Sequence, residues 1–274
     1  MKETTIKNKH ITTYIREFAS LSEFYGYIKT TPFNSAFSNK GDRSSIMASE
    51  EFAGTKTFEE AVELMKNGWS DEAIKLTHLL KDKAKDTITS TKTRPTYSVQ
   101  GFQCSVPRYL QGIPDNMINK KNIAVKQKVI TINKSITYSS FVSKKTIEEE
   151  SVKALSLINN IESQGYRCNL NIIFCSEKGN TREMVKVRIK SSGERINVTK
   201  LAFPLVHPSM LRRLLLRYIE VAPTTTYHYT WGHGTPTDHT TIKGLFKQLG
   251  YENEYVIPAF LPDDINSIET IQNL

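Results

Sequence analysis

Cysteine is scarce in this sequence, and its three cysteines do not form a common binding motif. Cys104, Cys168 and Cys175 are an odd number without CxxC spacing, so neither a disulfide framework nor a zinc ribbon is expected. If Cys168 and Cys175 lie on one strand, their odd separation places them on opposite faces, which argues against a shared metal ion. A reducing compartment fits this use of cysteine best.

Long apolar runs are also missing. No run of eighteen apolar residues occurs, and the N-terminal MKETTIKNKH lacks the apolar centre of a secretory signal. We therefore expect a cytoplasmic protein that has no membrane partner.

The signatures of common enzyme classes are absent as well. The sequence has no GxGxxG that opens a helix, and no GxxxxGK[ST], HExxH or GxSxG. Neighbouring acidic residues at 50–51 and 148–150 stand where predicted helices begin, and the helix dipole explains them there. We predict no catalytic residue, and a role other than catalysis is favoured.

The net charge of +9 arises mainly from residues 178–217, where ten Lys or Arg residues face two glutamates. Within this segment, MVKVRIK alternates strictly between apolar and basic residues. The alternation predicts a strand with one buried face and one cationic face. The cationic face consists of Lys186, Arg188 and Lys190.

Two interpretations of this basic segment remain open. Lysines on a strand can protect a sheet edge from pairing with another molecule. Alternatively, the strand cations, together with Arg212 and Arg213 on a following helix, contact the phosphates of a nucleic acid. No aromatic residue interleaves with the strand cations, so the stacking element of a single-strand binder is missing at this strand.

The pattern of elements divides the chain into three parts, which are residues 1–50, 51–122 and 123–274. The first contains an aromatic-rich helix predicted from Ile11, which ends before Pro32 and is followed by a polar loop. The second begins with a capping box of Thr57 and Glu60, which opens a helical hairpin, and it ends with a short strand region. The third contains a full set of strands and helices, so we expect a domain with its own core.

The third part has the order βαββααβα, which excludes an all-α or all-β domain. A short turn between its second and third strands indicates an antiparallel hairpin. We therefore predict an α/β fold, with a mostly parallel sheet and one antiparallel edge strand, and an N-terminal helical region. The alternative is an α+β ferredoxin-like domain. The predicted strands are 128–137, 166–175, 183–190 and 255–260.

Three blocks of sequence resemble a family of uncharacterised proteins that tailed bacteriophages and related mobile elements encode. The blocks are FAGTKTFEEAVELMKNGW, VPRYLQGIPDNM and ALSLINNIESQGYRCNL, at residues 52–69, 106–117 and 154–170. The resemblance implies an origin and a bacterial host cell as the compartment, with association to the virion left open. It implies no catalytic residue.

The second half also resembles a von Willebrand factor A type domain. Such a domain holds a metal ion at the carboxyl ends of its parallel strands, through DxSxS, a threonine from a glycine-containing loop and a later aspartate. Because an asparagine replaces the first aspartate here, with a lysine beside it, the resemblance implies a site that is metal-free or binds Mg²⁺ weakly. The residues at the matching positions are Asn133, Ser135, Thr137, Thr235 and Asp263.

The loop WGHGTPTDHTTI allows three interpretations. In the resemblance just described it is the threonine loop, with Thr235 toward the carboxyl edge of the sheet and the histidines uninvolved. A zinc site of His228, His233 and His239 is a second possibility, although its spacings match no standard cluster. In a plain turn, the glycines shape the backbone and Asp238 caps the next helix.

Two functions remain open from the sequence. The first is a non-enzymatic interaction protein that binds a host or phage protein through its α/β domain. The second is a nucleic-acid-binding protein that uses residues 178–217 to contact DNA or RNA. No cofactor is expected other than weakly bound Mg²⁺.

Overall fold

The computed structural model describes residues 1–8, 10–37, 43–83, 93–122, 128–224, 233–262 and 270–271. Its strands are β1 Lys2–Lys7, β2 Thr12–Phe18, β3 Thr93–Ser98, β4 Gln103–Cys104, β5 Met117–Asn122, β6 Val129–Ser135, β7 Arg167–Lys178, β8 Thr181–Lys190, β9 Thr235–Pro236 and β10 Glu254–Ile257. Its helices are α1 Leu21–Thr30, α2 Ser44–Met47, α3 Glu50–Ala53, α4 Phe58–Asn67, α5 Ser70–Lys83, α6 Val106–Leu110, α7 Lys144–Ser163, α8 Val198–Val206, α9 Leu216–Val221 and α10 His239–Gln248. A π-helical turn, Met210–Leu215, precedes α9. In the described part of the chain, no helix is both long and apolar enough to span a membrane.

The main sheet is mixed, and its strand order is β1-β2-β8-β7-β6-β10. Three of these five pairings are parallel, namely β2 with β8, β7 with β6, and β6 with β10. The β7–β8 pair is the antiparallel hairpin expected from the sequence, with Gly179 in its turn at φ +56°. The α/β class is confirmed. The ferredoxin-like alternative is wrong, because that fold separates the two strands of its βαβ unit, whereas β6 and β7 pair directly here.

The predicted edge position of β8 is wrong. This strand pairs with β7 on one side and with β2 on the other, so it lies inside the sheet. The strand that covers it comes from the N-terminal segment, where the sequence predicted a helix from Ile11. Residues 11–15 are rich in β-branched residues and fit a strand, and the helix begins later, at Leu21, with Ser20 as its N-cap.

Helices cover both faces of the sheet, but unequally. The larger core lies on one face, beneath α1, α4, α5, α7, α8 and α9. On the other face, among the described helices, α10 packs against β-strand residues such as Ile173 and Met184. Cys168 belongs to the first core and Cys175 to the second, so the prediction that they lie on opposite faces of one strand is confirmed. Burial raises the pKa of both thiols to about 12.

The sheet and the larger core both cross the boundary that the sequence predicts at residue 123. Strands β1 and β2 are part of the sheet that β6, β7 and β8 form. Phe24 and Leu76, from the first two parts of the chain, are fully buried in the same core as Ile132 and Leu155. The helical hairpin of α4 and α5 forms as expected, and Glu60 N donates to Thr57 Oγ1 at 3.1 Å in the predicted capping box.

Strands β3, β5 and β4 form a separate small sheet, which we call the arm, residues 93–122. The structure classes none of residues 95–119 as buried. Six of the large apolar side chains that are exposed in the structure belong to the arm, so the arm has no core of its own. They are Tyr97, Val99, Phe102, Val106, Tyr109 and Leu110.

Candidate binding site at the carboxyl edge of the sheet

A cavity of about 570 Å³ lies where β6 and β7 end, and we call it the carboxyl-edge cavity. Residues 137–141, which follow β6, line one side of it. On another side β9 pairs Thr235 with Glu177 at the end of β7. Gly234 allows this close approach, because its φ is +99° and a Cβ there would lie 3.0 Å from the Glu177 carbonyl oxygen. Ligands of open α/β sheets bind at this edge, which makes the cavity the candidate site.

The structure brings two of the five predicted metal-site residues, Thr137 and Thr235, to this cavity. Thr137 Oγ1 accepts a hydrogen bond from the Cys175 backbone at 2.9 Å and one from Ser135 at 3.4 Å. Thr235 Oγ1 donates to the Glu177 carbonyl at 3.2 Å. Asp263 lies outside the described residues. Within the described residues, no three or more His, Cys, Asp or Glu side chains gather as a metal site.

Asn133 is engaged on the other face of the sheet, beneath α10. Its Nδ2 donates to Glu254 Oε2 at 2.9 Å, and its Oδ1 accepts from Asn171 Nδ2 at 2.7 Å. Both ends of the amide therefore have partners in the protein, and Asn133 does not line the cavity. Its neighbour Lys134 is fully buried on the larger-core face, where Nζ donates to the carbonyls of Pro258 and Ala259.

The predicted cationic face of β8 is mostly an internal surface. Lys186 is buried and pairs with Glu254 at 2.8 Å and with Glu17 at 3.4 Å. Lys190 is also buried and pairs with Glu162 at 2.6 Å. Arg188 alone of the three strand cations is exposed. The expectation of an exposed row of three cations is wrong, because both faces of this internal strand are covered.

Arg213, another member of the predicted nucleic-acid set, is fully buried. Its guanidinium donates at 2.7 to 3.1 Å to backbone carbonyls of the segment that contains α2 and α3. Burial lowers its pKa from the usual value. Arg213 therefore holds this segment against the π-helical turn. The sequence had instead predicted that Arg213 contacts a nucleic acid at the surface. The carbonyls are those of Ser45, Ile46, Ala48, Thr55 and Lys56.

Arg212 lines the carboxyl-edge cavity and is 4% exposed. Its Nη1 donates to the Phe52 carbonyl at 2.8 Å. Its Nη2 donates to the carbonyls of Val142 at 2.6 Å and Ser140 at 3.4 Å. Its Nε is buried and has no hydrogen-bond partner in the described part of the chain. Burial lowers the pKa of Arg212, and no carboxylate of the described residues lies within ion-pair distance of it.

His233 and Glu220 form a pair beside the cavity that the sequence did not predict. His233 Nε2 lies 2.9 Å from Glu220 Oε1, and the His233 ring stacks on Phe37 with centroids 5.3 Å apart. Glu220 is fully buried and also accepts from the backbone and the hydroxyl of Ser45. His233 lines the cavity, whereas the resemblance to a von Willebrand factor A type domain implied that the histidines of this loop are uninvolved.

The zinc and plain-turn interpretations of this loop have different outcomes. His228 lies outside the described residues. His239 begins α10, and neither of its ring nitrogens has a hydrogen-bond partner among the residues that the structure describes. Asp238 caps α10, because its side chain accepts from the Thr241 backbone at 2.9 Å, as the plain-turn interpretation predicted. No spacing in the sequence could have paired His233 with Glu220, since tertiary packing alone brings them together.

The rim of the cavity carries one strongly exposed aromatic residue. Phe141 lies in the turn after β6, in which Val142 N donates to the Ser139 carbonyl at 3.1 Å. Its side chain is 96% exposed although it lines the cavity. A large apolar side chain in water has an unfavourable hydration free energy, which contact with another molecule would relieve.

Comparisons with known proteins give one family. The family model described as a domain of unknown function (DUF7192) matches residues 2–273, which is nearly the whole chain. No curated protein matches the sequence, and no solved structure matches it. The matched range includes every element of the sheet, the arm and the carboxyl-edge cavity. The chain therefore belongs to the DUF7192 family, a family of uncharacterised proteins.

Proposed function

We propose that the protein is a non-enzymatic interaction protein, and that its α/β domain binds another protein at the carboxyl edge of the sheet. The observation that carries the proposal is the Phe141 ring, 96% exposed on the rim of a cavity of about 570 Å³. Exposed aromatic side chains beside a concave surface are typical anchors of protein interfaces. The cavity offers a partner side chain a place to insert, and Phe141 offers it an apolar contact.

Arg212 supports this proposal because it fixes the turn that carries Phe141. Its Nη2 donates to the carbonyls of both chain neighbours of Phe141, which are Ser140 and Val142. A turn that is already ordered before binding loses less conformational entropy when a partner docks. Arg212 is thus a positioning residue for the rim.

The hydrogen bonds of His233 favour binding over catalysis. A serine or threonine nucleophile needs a base within hydrogen-bond distance. In the part of the chain that the structure describes, the hydrogen bond of the His233 ring is to Glu220, and no hydroxyl is bonded to either ring nitrogen. The pair is therefore better suited to holding the rim and Ser45 in place.

Two resemblances of the sequence bear on the partner. The phage-related blocks make a host or phage protein the partner in this proposal. The order β8-β7-β6-β10, with β8 antiparallel to β7, agrees with the order in which a von Willebrand factor A type domain arranges its corresponding strands, and supports binding at the carboxyl edge. A nucleic-acid partner has weaker support, since four of its five predicted contact residues are buried.

The proposal is tested by site-specific photo-crosslinking in cells that contain the partner. A photoreactive phenylalanine analogue replaces Phe141 in one variant and Ile74 in a matched control, because Ile74 is a large exposed apolar residue of α5. We expect a protein crosslink at position 141 that excess wild-type protein suppresses and nuclease treatment does not change. A crosslink of equal yield at position 74, or one that nuclease removes, would contradict the proposal.

A further inference from the structure

We infer that two copies of this chain associate through β1, whose outer edges pair antiparallel and join the two main sheets into one. The inference goes beyond the proposed function, because β1 lies at the end of the sheet and does not line the carboxyl-edge cavity. In the described part of the chain, β1 pairs with β2 and with no other strand. Its second edge is therefore open to a further strand.

The hydrogen bonds at the turn between β1 and β2 show which backbone groups of β1 point outward. Asn8 N donates to the Ile11 carbonyl at 3.0 Å, so these two residues form a hydrogen-bonded pair. The adjacent pair, Lys7 with Thr12, is then of the other kind, which exchanges no bonds. In agreement, Thr12 N donates at 2.9 Å to the Asn180 carbonyl, on the side of β8. The N–H and C=O of Lys7 therefore point away from β2.

Glu3 and Thr5 present their backbone groups in the same direction. The two kinds of pair alternate along an antiparallel ladder, and β1 pairs with β2 in one register throughout its length. The N–H and C=O groups of Glu3, Thr5 and Lys7 therefore all lie on the outer edge. These three residues are exposed, and no residue of β1 is buried, so the layers of helices do not enclose this strand. A second copy can approach the edge without displacing a helix.

One antiparallel register gives every outward group a partner. It places Thr5 opposite Thr5 of the second copy, and Glu3 opposite Lys7 on each side of the two-fold axis. Each of these pairs exchanges two backbone hydrogen bonds. The side chains of directly opposite residues lie close together on one face, so each Glu3 meets a Lys7 of opposite charge. A shift of two residues in either direction separates Glu3 from Lys7.

The charges of β1 favour a second copy as the occupant of this edge. Lysines on an edge strand usually prevent pairing, and β1 carries Lys2 and Lys7. In the register described, Lys7 meets a carboxylate and Lys2 meets Asn8, so no two lysines face each other. Glu3 accepts a hydrogen bond from Arg16 Nε at 2.7 Å, yet its side chain is 55% exposed and remains accessible to the second copy.

The first test measures association of the full chain by analytical ultracentrifugation. One short strand from each copy forms an interface smaller than the standard size, so we expect a weak dimer with a Kd on the order of 10 μM. The dimer should not grow further, because pairing occupies the β1 edge of both copies. A protein that stays monomeric up to about tenfold above this concentration, or that forms open-ended oligomers, would overturn the inference.

The second test addresses the register through the facing charges. Lys7→Glu places glutamates opposite each other and Glu3→Lys places lysines opposite each other, so each variant alone should associate about tenfold more weakly. An equimolar mixture of the two variants should regain the wild-type affinity, because every facing pair again has opposite charges. Lys200→Glu makes the same charge change at an exposed residue of α8 and should dimerise as the wild type does. A mixture that associates no more tightly than either variant alone would overturn the inference.

The third test removes a backbone donor and leaves the charges unchanged. Thr5→Pro lacks the outward N–H, and an edge strand tolerates proline where its N–H faces solvent. We expect this variant to keep a Tm close to that of the wild type and to lose association, whereas Thr5→Val keeps the N–H and should dimerise. Phe141→Ala should also dimerise, so a failure of the proposed function and a failure of this inference give different results. Association that persists in Thr5→Pro, or disappears in Phe141→Ala, would overturn the inference.

Discussion

The sharpest consequence of the fold concerns Lys190, which the sequence assigns to a nucleic-acid surface and the structure places inside the protein. Lys190 is 2% exposed, and its Nζ donates to Glu162 Oε1 at 2.6 Å, to the Cys168 carbonyl at 3.0 Å and to the Ser191 carbonyl at 3.3 Å. The substitution Lys190→Met keeps a long unbranched side chain but removes the charge and all three donors. We expect it to lower the free energy of unfolding.

The magnitude follows from the environment of Glu162. Removal of one partner of a fully buried ion pair costs about 3–5 kcal/mol. The Glu162 side chain is 11% exposed and keeps a hydrogen bond from the Cys168 backbone at 3.2 Å, so water and that donor offset part of the loss. We therefore expect a loss of about 2–4 kcal/mol for Lys190→Met. The exposed Arg188 offers the matched control, because Arg188→Gln should change stability by less than about 0.5 kcal/mol.

Urea unfolding of both variants and of wild type measures these differences, provided that the slopes with urea agree. Glu162→Gln completes a double-mutant cycle, in which the double variant should lose less stability than the sum of the two single variants. If Lys190→Met were as stable as Arg188→Gln, the ion pair would contribute nothing. The assignment of a structural role to Lys190 would then be refuted.

Three other predictions follow from burial. Burial lowers the pKa of Lys134 to about 7 from 10.5, so the unfolded chain binds more protons than the folded chain between these values. Relative to Lys134→Met, the wild type should therefore gain up to about 1.4 kcal/mol of stability per pH unit as the pH rises through this range. Identical pH profiles of the two proteins in urea unfolding would contradict this prediction. Replacement of residues 95–119 by a short Gly-Ser linker should shift Tm by only a few degrees. The reason is that none of these residues is buried and that Thr93 pairs with Asn122 at the base of the arm. Loss of the cooperative melt would show that the arm supports the core. A fragment of residues 123–274 should give no cooperative melt, since it lacks β2 and the core residues of α1 and α5; a well-dispersed amide spectrum of that fragment would contradict this expectation.

Local patterns predicted the elements of the second half well. Strands β6, β7, β8 and β10 occur close to the predicted ranges, because short-range periodicity determines them. The capping box before α4 and the Asp238 cap of α10 also form as predicted. These features depend on residues within one turn of each other, so the sequence alone contains the required information.

The N-terminal segment shows where local patterns fail. Ile11, Tyr14, Ile15 and Phe18 have helical spacing, but the same residues also suit a strand that is covered on both faces. Only the vacant side of β8 makes the strand the stable choice, because pairing satisfies the backbone groups of both strands. No pattern within residues 11–18 contains that information.

The sequence by itself determined the α/β class, the antiparallel hairpin of β7 and β8, and the net positive charge of the chain. Tertiary structure decided where the charges lie, since Lys186, Lys190 and Arg213 are buried by segments far from them in sequence. It also decided the site, because His233 meets Glu220 and Arg212 fixes the Phe141 turn only after the sheet is assembled. Hydrophobic periodicity indicates which side chains are buried. Whether a charge is paired depends on neighbours that only the folded chain brings within hydrogen-bond distance.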